Sequence, residues 1–339
     1  MSNAPTGSNG ANSSRVAAAA GGPASPAATS PATTSPAPAS PALGRWMVFG
    51  AAFLWGTSAT LARFVFRDRA VPAIEVVELR LVFAVLVLAP IMLWRAPARM
   101  AVRREDLGYM VALGAVGVAA LQGSYYYAIS RLGVGLPILI QYLAPSLIVA
   151  WTLMRGGRVS ARTAGPVAAA VAGTALLVGE VTPATRDATL FDWAVAFASA
   201  AFFAAYIVAS KRGLARYAPE TLLLWTFSCA ALVWMCVTPP WVIVARGYGA
   251  ELWGMFLLLG LFSTLVPFFL FNTGLRRLSP TEAGILATLE PVIAVLAAWG
   301  FLGEGLGARQ WLGASLVLAA SALATARAPE ALPAQAERG

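Results

Sequence analysis

Residues 125–151 read YYYAISRLGVGLPILIQYLAPSLIVAW, and residues 271–297 read FNTGLRRLSPTEAGILATLEPVIAVLA. Set at a constant offset of 146 positions, Arg131 meets Arg277, Leu132 meets Leu278, Pro145 meets Pro291 and Val149 meets Val295. The identities are few, but their placement repeats. An apolar run ends in Arg-Leu, a short turn follows, and the next apolar run carries a proline at the same depth. FLWGTSATLAR (53–63) and AFFAAYIVASK (201–211) match more loosely. The chain reads as two units of one design.

Working outward, ten long apolar stretches carry the repeat: 46–66, 73–94, 107–129, 134–154, 163–180, 191–210, 220–243, 252–274, 281–302 and 310–326. A helix needs about 20 apolar residues to cross a bilayer. Of the 339 residues, 59% are hydrophobic and 12% charged, with mean hydropathy +0.72. A soluble domain carries roughly 25% charge, so lipid must be part of this protein's solvent. The connections are short, which makes sequential helices antiparallel neighbours. The expected fold is an all-α membrane protein of ten transmembrane helices, built as two inverted five-helix repeats over 45–185 and 186–327. Inversion follows because five is odd, so the second unit enters from the opposite face. Such repeats are typical of secondary transporters, with the substrate site near the midplane. Residues 1–44 are Ala, Pro, Ser, Thr and Gly with one charge, Arg15, and are expected to be disordered; 328–339 form a short tail.

Basic residues concentrate in every second gap. Arg95, Arg99, Arg103, Arg104, Arg155, Arg158, Arg162, Lys211, Arg212, Arg216, Arg276 and Arg277, with Arg15, Arg45, Arg327 and Arg338 in the tails, make sixteen on one side. Arg67, Arg69, Arg131, Arg186, Arg246 and Arg309 make six on the other. Basic residues stay on the cytoplasmic side, so both termini are predicted cytoplasmic in a multi-pass cell-membrane protein. The net charge of +9 is then a topology signal and a contact for anionic lipid headgroups, not a nucleic-acid surface.

Composition also excludes chemistry. With no histidine, the commonest zinc ligand and the commonest general base are both missing. Cys229 and Cys236, seven apart on one helix, are separated by about 10 Å along its axis and too far apart for a disulfide. No Gly-rich phosphate loop ending in Lys-Ser/Thr is present, so ATP is not a direct driver. No cofactor or metal is expected, and no enzyme signature is found.

LWGTSATLAR in the first span, ELRLVFA in the second, and LSPTEAGILATLEPVIAVLAAWGFLGEGLGARQWLGASLVL at the end carry a resemblance. On these stretches the chain resembles the EamA-type drug/metabolite transporter superfamily over about 46–326. The resemblance implies two five-helix units around a central cavity, lined mainly by helices 1, 3, 4, 6, 8 and 9. It also implies movement of small metabolites without ATP. One departure stands out: the glycine-glutamate pair common to both halves in the family is Gly303-Glu304 here in the second half, but Gly157-Arg158 in the first. The two gates are therefore expected to be chemically unequal.

Charged groups at membrane depth mark candidate function. Glu290 stands nine residues into the ninth span, directly before Pro291. It reads either as a proton-coupling carboxylate or substrate contact, or as a packing carboxylate. Glu78 and Arg80 point about 200° apart on one helix and so need different partners. Arg80 is expected to bind a carboxylate or phosphate with its planar fork, or to lock its helix in place. Gln122, Tyr125 and Tyr126 share a helix face, as an aromatic wall or an interfacial belt. Gln141 and Tyr142 precede Pro145; Trp55, Tyr206 and Asn272, with Thr57 and Ser58, complete the expected lining. Pro145 and Pro291 are the expected hinges. Glu75 is read as solvated near the outer interface, and Glu282 as a helix N-terminal charge. Gly165, Ala169 and Gly173 form a small-residue stripe, for packing within the unit or for a dimer face.

These readings lead to a secondary transporter, with export the expected direction, for small organic metabolites such as amino acids or amphipathic compounds. It would work by alternating access, with protons as a candidate coupling ion and Glu290 as the carrier. The alternatives are a membrane-embedded enzyme acting on lipid-linked substrates and a non-transporting sensor or scaffold. Monomer and homodimer are both open.

Overall fold

A computed structural model describes residues 40–67, 71–132, 135–178, 188–302 and 307–326. The described chain is helical. Its first half holds α1 (Pro41–Arg67), α2 (Ala73–Arg95), α3 (Arg104–Leu132), α4 (Gly135–Gln141), α5 (Ala144–Met154) and α6 (Ala161–Val178). The second half holds α7 (Leu190–Gly213), α8 (Pro219–Val237), α9 (Pro240–Ala245), α10 (Ala250–Leu275), α11 (Pro280–Ala287), α12 (Leu289–Leu302) and α13 (Ala308–Ala326). Among the described residues five helices, α2, α3, α7, α8 and α10, are long and apolar enough to cross a membrane. The surface is apolar: Leu190 is 87% exposed, Trp94 80% and Trp46 70%. Asn272, Thr264, Thr288, Ser210 and Thr174 are meanwhile fully buried. Greasy outside with polar groups inside suits a lipid solvent, where polar atoms must be satisfied within the protein.

The repeat offset reappears in the helix boundaries. Starts at Ala73 and Pro219, starts at Arg104 and Ala250, and ends at Gln141 and Ala287 are each 146 positions apart. Geometry repeats too. Inside α3 and α10 the chain loosens into π-helical turns, over Leu113–Ala120 and Leu259–Leu265, again beginning 146 apart. Each loosened segment presses a glycine on the other half. A Cβ on Gly114 would lie 2.7 Å from the Thr226 carbonyl of α8, and one on Gly260 would lie 2.8 Å from Phe83 Cβ of α2. Only glycine allows either approach.

Three sequence expectations are corrected. The runs 134–154 and 281–302 are not continuous helices: one breaks at Tyr142–Leu143, between α4 and α5, the other at Thr288, between α11 and α12. A proline inside a helix removes a hydrogen bond and clashes with the carbonyl four residues back. Pro145 and Pro291 avoid both costs by standing in the first turn of a new helix, whose N–H groups lack intrahelical partners anyway. The run 220–243 ends at Val237, stopped by Pro239-Pro240. At the amino end, α1 starts at Pro41, before the expected end of the tail at 44. The rest of that tail, 328–339 and the Gly303-Glu304 pair lie outside the described residues.

α6 and α13 pack along their lengths. A Cβ on Gly173 would lie 2.8 Å from the Gly313 carbonyl, whereas Gly165 has nothing within 4 Å. The small-residue stripe is therefore used within the chain at Gly173, and Gly165 takes no part in that contact.

Candidate functional site

The two helix breaks meet. Tyr142, at the first break, donates its hydroxyl to Glu290 Oε2 at 2.5 Å, at the start of α12. Tyr142 is 3% exposed, while Glu290 is only partly covered. The repeat-equivalent of Tyr142 is Thr288, whose hydroxyl turns back to the Ile285 carbonyl at 2.6 Å. The carboxylate contact is thus made in one direction only. Gly56 of α1 backs the site: a Cβ there would lie 2.8 Å from the Glu290 carbonyl.

Arg80 lies 3% exposed on α2 and is held by the π-helical segment of α10. Its Nε donates to Thr264 Oγ1 at 2.8 Å and its Nη2 to the Ser263 carbonyl at 2.9 Å. The guanidinium stands 5.1 Å from the centre of the Tyr126 ring, and Tyr125 meets Tyr126 edge-on at 5.5 Å. No carboxylate pairs with Arg80 among the described residues, and its Nη1 has no hydrogen-bond partner. The locking arrangement read from sequence is present on two nitrogens and leaves the third uncommitted. The repeat-equivalent position is Thr226, so the charge breaks the symmetry. Glu78, 1% exposed, feels Glu75 and leaves Oε2 without a partner.

The other expected lining residues divide. Gln122 is buried with Nε2 unpartnered, and Gln141 closes α4 half-buried. Trp55 packs against Phe268 and Phe271, with ring centres 5.2 and 5.6 Å away. Asn272 donates to the Tyr206 hydroxyl at 2.6 Å and to the Phe268 carbonyl at 2.8 Å. Tyr206 and Asn272 are therefore bonded to each other inside the core, while Asn272 Oδ1 is buried without a partner among the described residues. Thr57 and Ser58 bond back to carbonyls of their own helix. A cavity of about 550 Å³ opens nearby between α2, α3, α7 and α8, with Val77, Ser124, Tyr126, Phe191 and Trp234 in its wall. Tyr126, in its wall, is also the ring that Arg80 meets.

One carboxylate differs from expectation, and another stands in the expected first turn with a partner the sequence did not show. Glu75 is not solvated: it is 1% exposed, receives Arg246 Nη2 at 2.9 Å and the Tyr248 hydroxyl at 2.6 Å. The segment between α8 and α10 folds back over it. Burial first, and Glu75 second, push the Tyr248 hydroxyl up to about 12. Glu282 is the third residue of α11, but Ser279 is the cap and the Glu282 carboxylate binds Arg45 Nε of α1 at 2.9 Å. Sequence reading missed Asp192, which completes a capping box with Thr189 and accepts from Tyr127 and Arg131. It also missed Asp106, held by Arg216 at 2.9 Å and Tyr217 at 2.5 Å. The Thr-x-x-Asp spacing at 189–192 was the available signal for the first; nothing local marks the second.

With this geometry in hand, the comparisons are consistent. The model of the EamA-like transporter family matches residues 42–179 and again 193–326. An uncharacterized inner membrane transporter of Salmonella typhimurium, YicL, is 26% identical over 79% of this chain and 90% of its own length. The threonine/homoserine exporter RhtA of Escherichia coli K12 is 27% identical over 78% of this chain and 84% of its own. One solved crystal structure superposes with a TM-score of 0.69 at 22% identity, covering 85% of this chain and 98% of the other, which shows a shared fold.

Proposed function

The chain belongs to the EamA-like transporter family and is a multi-pass membrane protein, and from that premise we propose that it is a secondary active transporter that exports small organic metabolites. Its ten crossings form two inverted five-helix units with both termini cytoplasmic. Amino acids and small amphipathic compounds are the solute class, in keeping with the similarity to the threonine/homoserine exporter RhtA. The units rock about the meeting point of the two broken helices, and Pro145 and Pro291 start the halves that swing. Glu290 is the coupling or solute-contacting carboxylate, and a proton is the ion it exchanges. Arg80, Glu78, Tyr125, Tyr126, Tyr142 and Gln122 surround the path; Gln141, Trp55, Tyr206 and Asn272 support it.

The observation that carries this reading is the Tyr142–Glu290 bond. It joins the interrupted helix of one half to the interrupted helix of the other, at a partly exposed glutamate in an apolar fold. In transporters built from repeats, broken helices and their polar groups lie at the solute site. The test is a comparison of extracellular metabolites from cells expressing the wild type, Glu290→Gln or an empty vector, at matched membrane levels. A solute that accumulates outside only with the wild type supports the proposal. Equal accumulation in both variants removes Glu290 from the cycle, and no difference from the empty vector overturns export.

A further inference from the structure

Resting on the transporter reading, we infer that Arg80 is the specificity residue for a solute carboxylate, so that the protein takes zwitterions and rejects the matching amines. A purely structural arginine at this depth would commit all its donors, because an unmade hydrogen bond on a buried charged group is costly. Arg80 commits one edge. Nε and Nη2 are held by Thr264 and Ser263 of the α10 π-segment, and Tyr126 covers the ring face. Nη1 is left buried and unpartnered. The guanidinium is thus fixed in orientation with both N–H donors of Nη1 unspent, which is how a recognition arginine is preorganised.

A carboxylate also stands in this core: Glu290 accepts the Tyr142 hydroxyl on Oε2 where the second broken helix restarts. Arg80 offers a cation to a solute carboxylate and Glu290 an anion to a solute ammonium, which suits a small molecule carrying both charges. The π-segment supplies the reason for the arrangement. A π-turn widens the helix and sets its carbonyls out of register, and the Ser263 carbonyl is one that Arg80 captures. The equivalent π-segment of α3 faces Thr226, not an arginine, so a carboxylate would find this donor on one side of the pseudo-symmetric core only.

The test uses the purified full chain in detergent and reads ligand-induced thermal stabilisation. The probes are L-threonine and L-leucine, each paired with its decarboxylated amine, 1-amino-2-propanol and 3-methylbutylamine. For at least one pair the wild type is expected to bind the amino acid about tenfold more tightly or better, the worth of a charge-assisted bond. Arg80→Gln is expected to erase that preference by weakening the acid while leaving the amine within about twofold, and Arg80→Lys to keep part of it. Thr264→Val keeps the charge but frees the guanidinium, and is expected to weaken the acid alone. It carries the test if Arg80→Gln does not fold. Equal weakening of acid and amine would make Arg80 structural and overturn the inference. So would a wild type that prefers the amine or binds no member of either pair, whereas the transport reading stands or falls separately on the extracellular metabolite comparison.

Discussion

Tyr142 and Glu290 lie 148 positions apart and share one hydrogen bond of 2.5 Å between two interrupted helices. Each residue sits where its own helix restarts, so the bond ties one half of the chain to the other at the junction proposed as the pivot.

Removing only the donor leaves a carboxylate oxygen short of its partner. Tyr142→Phe is expected to lower stability by about 1–3 kcal/mol. The same change made on a Glu290→Gln background is expected to cost clearly less, since the charge it served is gone. Thermal unfolding of the four proteins in one detergent gives the coupling energy. A coupling near zero would sink the idea that the pair acts as a unit.

Glu290→Gln is also expected to separate exchange from accumulation. In proteoliposomes loaded with a transported solute, the variant should still exchange labelled for unlabelled solute across the membrane. It should not respond to an imposed pH gradient, because the proposed proton-carrying carboxylate is gone. A variant that follows the gradient as the wild type does assigns coupling elsewhere.

Tyr248 gives a pH signature at the other end of the helices. Its hydroxyl titrates near 10.0 when unperturbed and is raised to about 12 here by burial and by Glu75. A group whose value is raised on folding stabilises fully below the unfolded value and loses that contribution as pH climbs through the folded one. Wild-type stability should thus contain a component that is intact at neutral pH and fades as pH rises from about 10 towards 12. Tyr248→Phe should lack this alkaline component. Melting temperature against pH for the two proteins decides; parallel curves above pH 10 would contradict the assignment.

The two glycines of α6 make a matched pair. Gly173→Ala would drive its Cβ to 2.8 Å from the Gly313 carbonyl, which is backbone and can yield only by moving α13. A loss of about 1–3 kcal/mol is expected. Gly165→Ala meets no other helix within 4 Å and should cost less than about 1 kcal/mol, its helix propensity offset by crowding against the following Pro166. Equal effects at the two positions would mean that α6 and α13 do not pack as described.

A similar strain test applies to the π-segment of α10. Gly260→Ala places a Cβ 2.8 Å from Phe83 Cβ and 3.2 Å from the Arg80 carbonyl. Displacing α2 there should also loosen Arg80 from Thr264 and Ser263. Lower stability together with increased exchange of the surrounding backbone amides is the expected result, and unchanged protection around 259–265 would refute it.

Much of the architecture is legible along the chain because the bilayer imposes it. Apolar runs of spanning length, arginines in alternate gaps and an offset of 146 between Arg131-Leu132 and Arg277-Leu278 depend on composition and order alone. A buried ionisable residue is conspicuous in such a background, which is why Glu290, Glu78 and Arg80 stand out before any coordinates are known. Partners are another matter. Nothing near Tyr142 in sequence announces Glu290, and nothing near Arg80 announces Thr264, because side chains far apart in sequence meet only through the packing of helices. Glu75 was misread as solvated for the same reason: whether a helix end faces water or is covered by a folded-back segment with Arg246 and Tyr248 is settled by where that segment lands. Likewise, a proline in an apolar run signals a missing hydrogen bond, but whether the helix bends or stops and restarts is decided by what packs beside it. The sequence by itself determined the solvent, the repeat and the residues out of place in that solvent. Only the tertiary structure decided which of them touch, because a hydrogen bond is fixed by ångström-scale distances that three-dimensional packing alone sets.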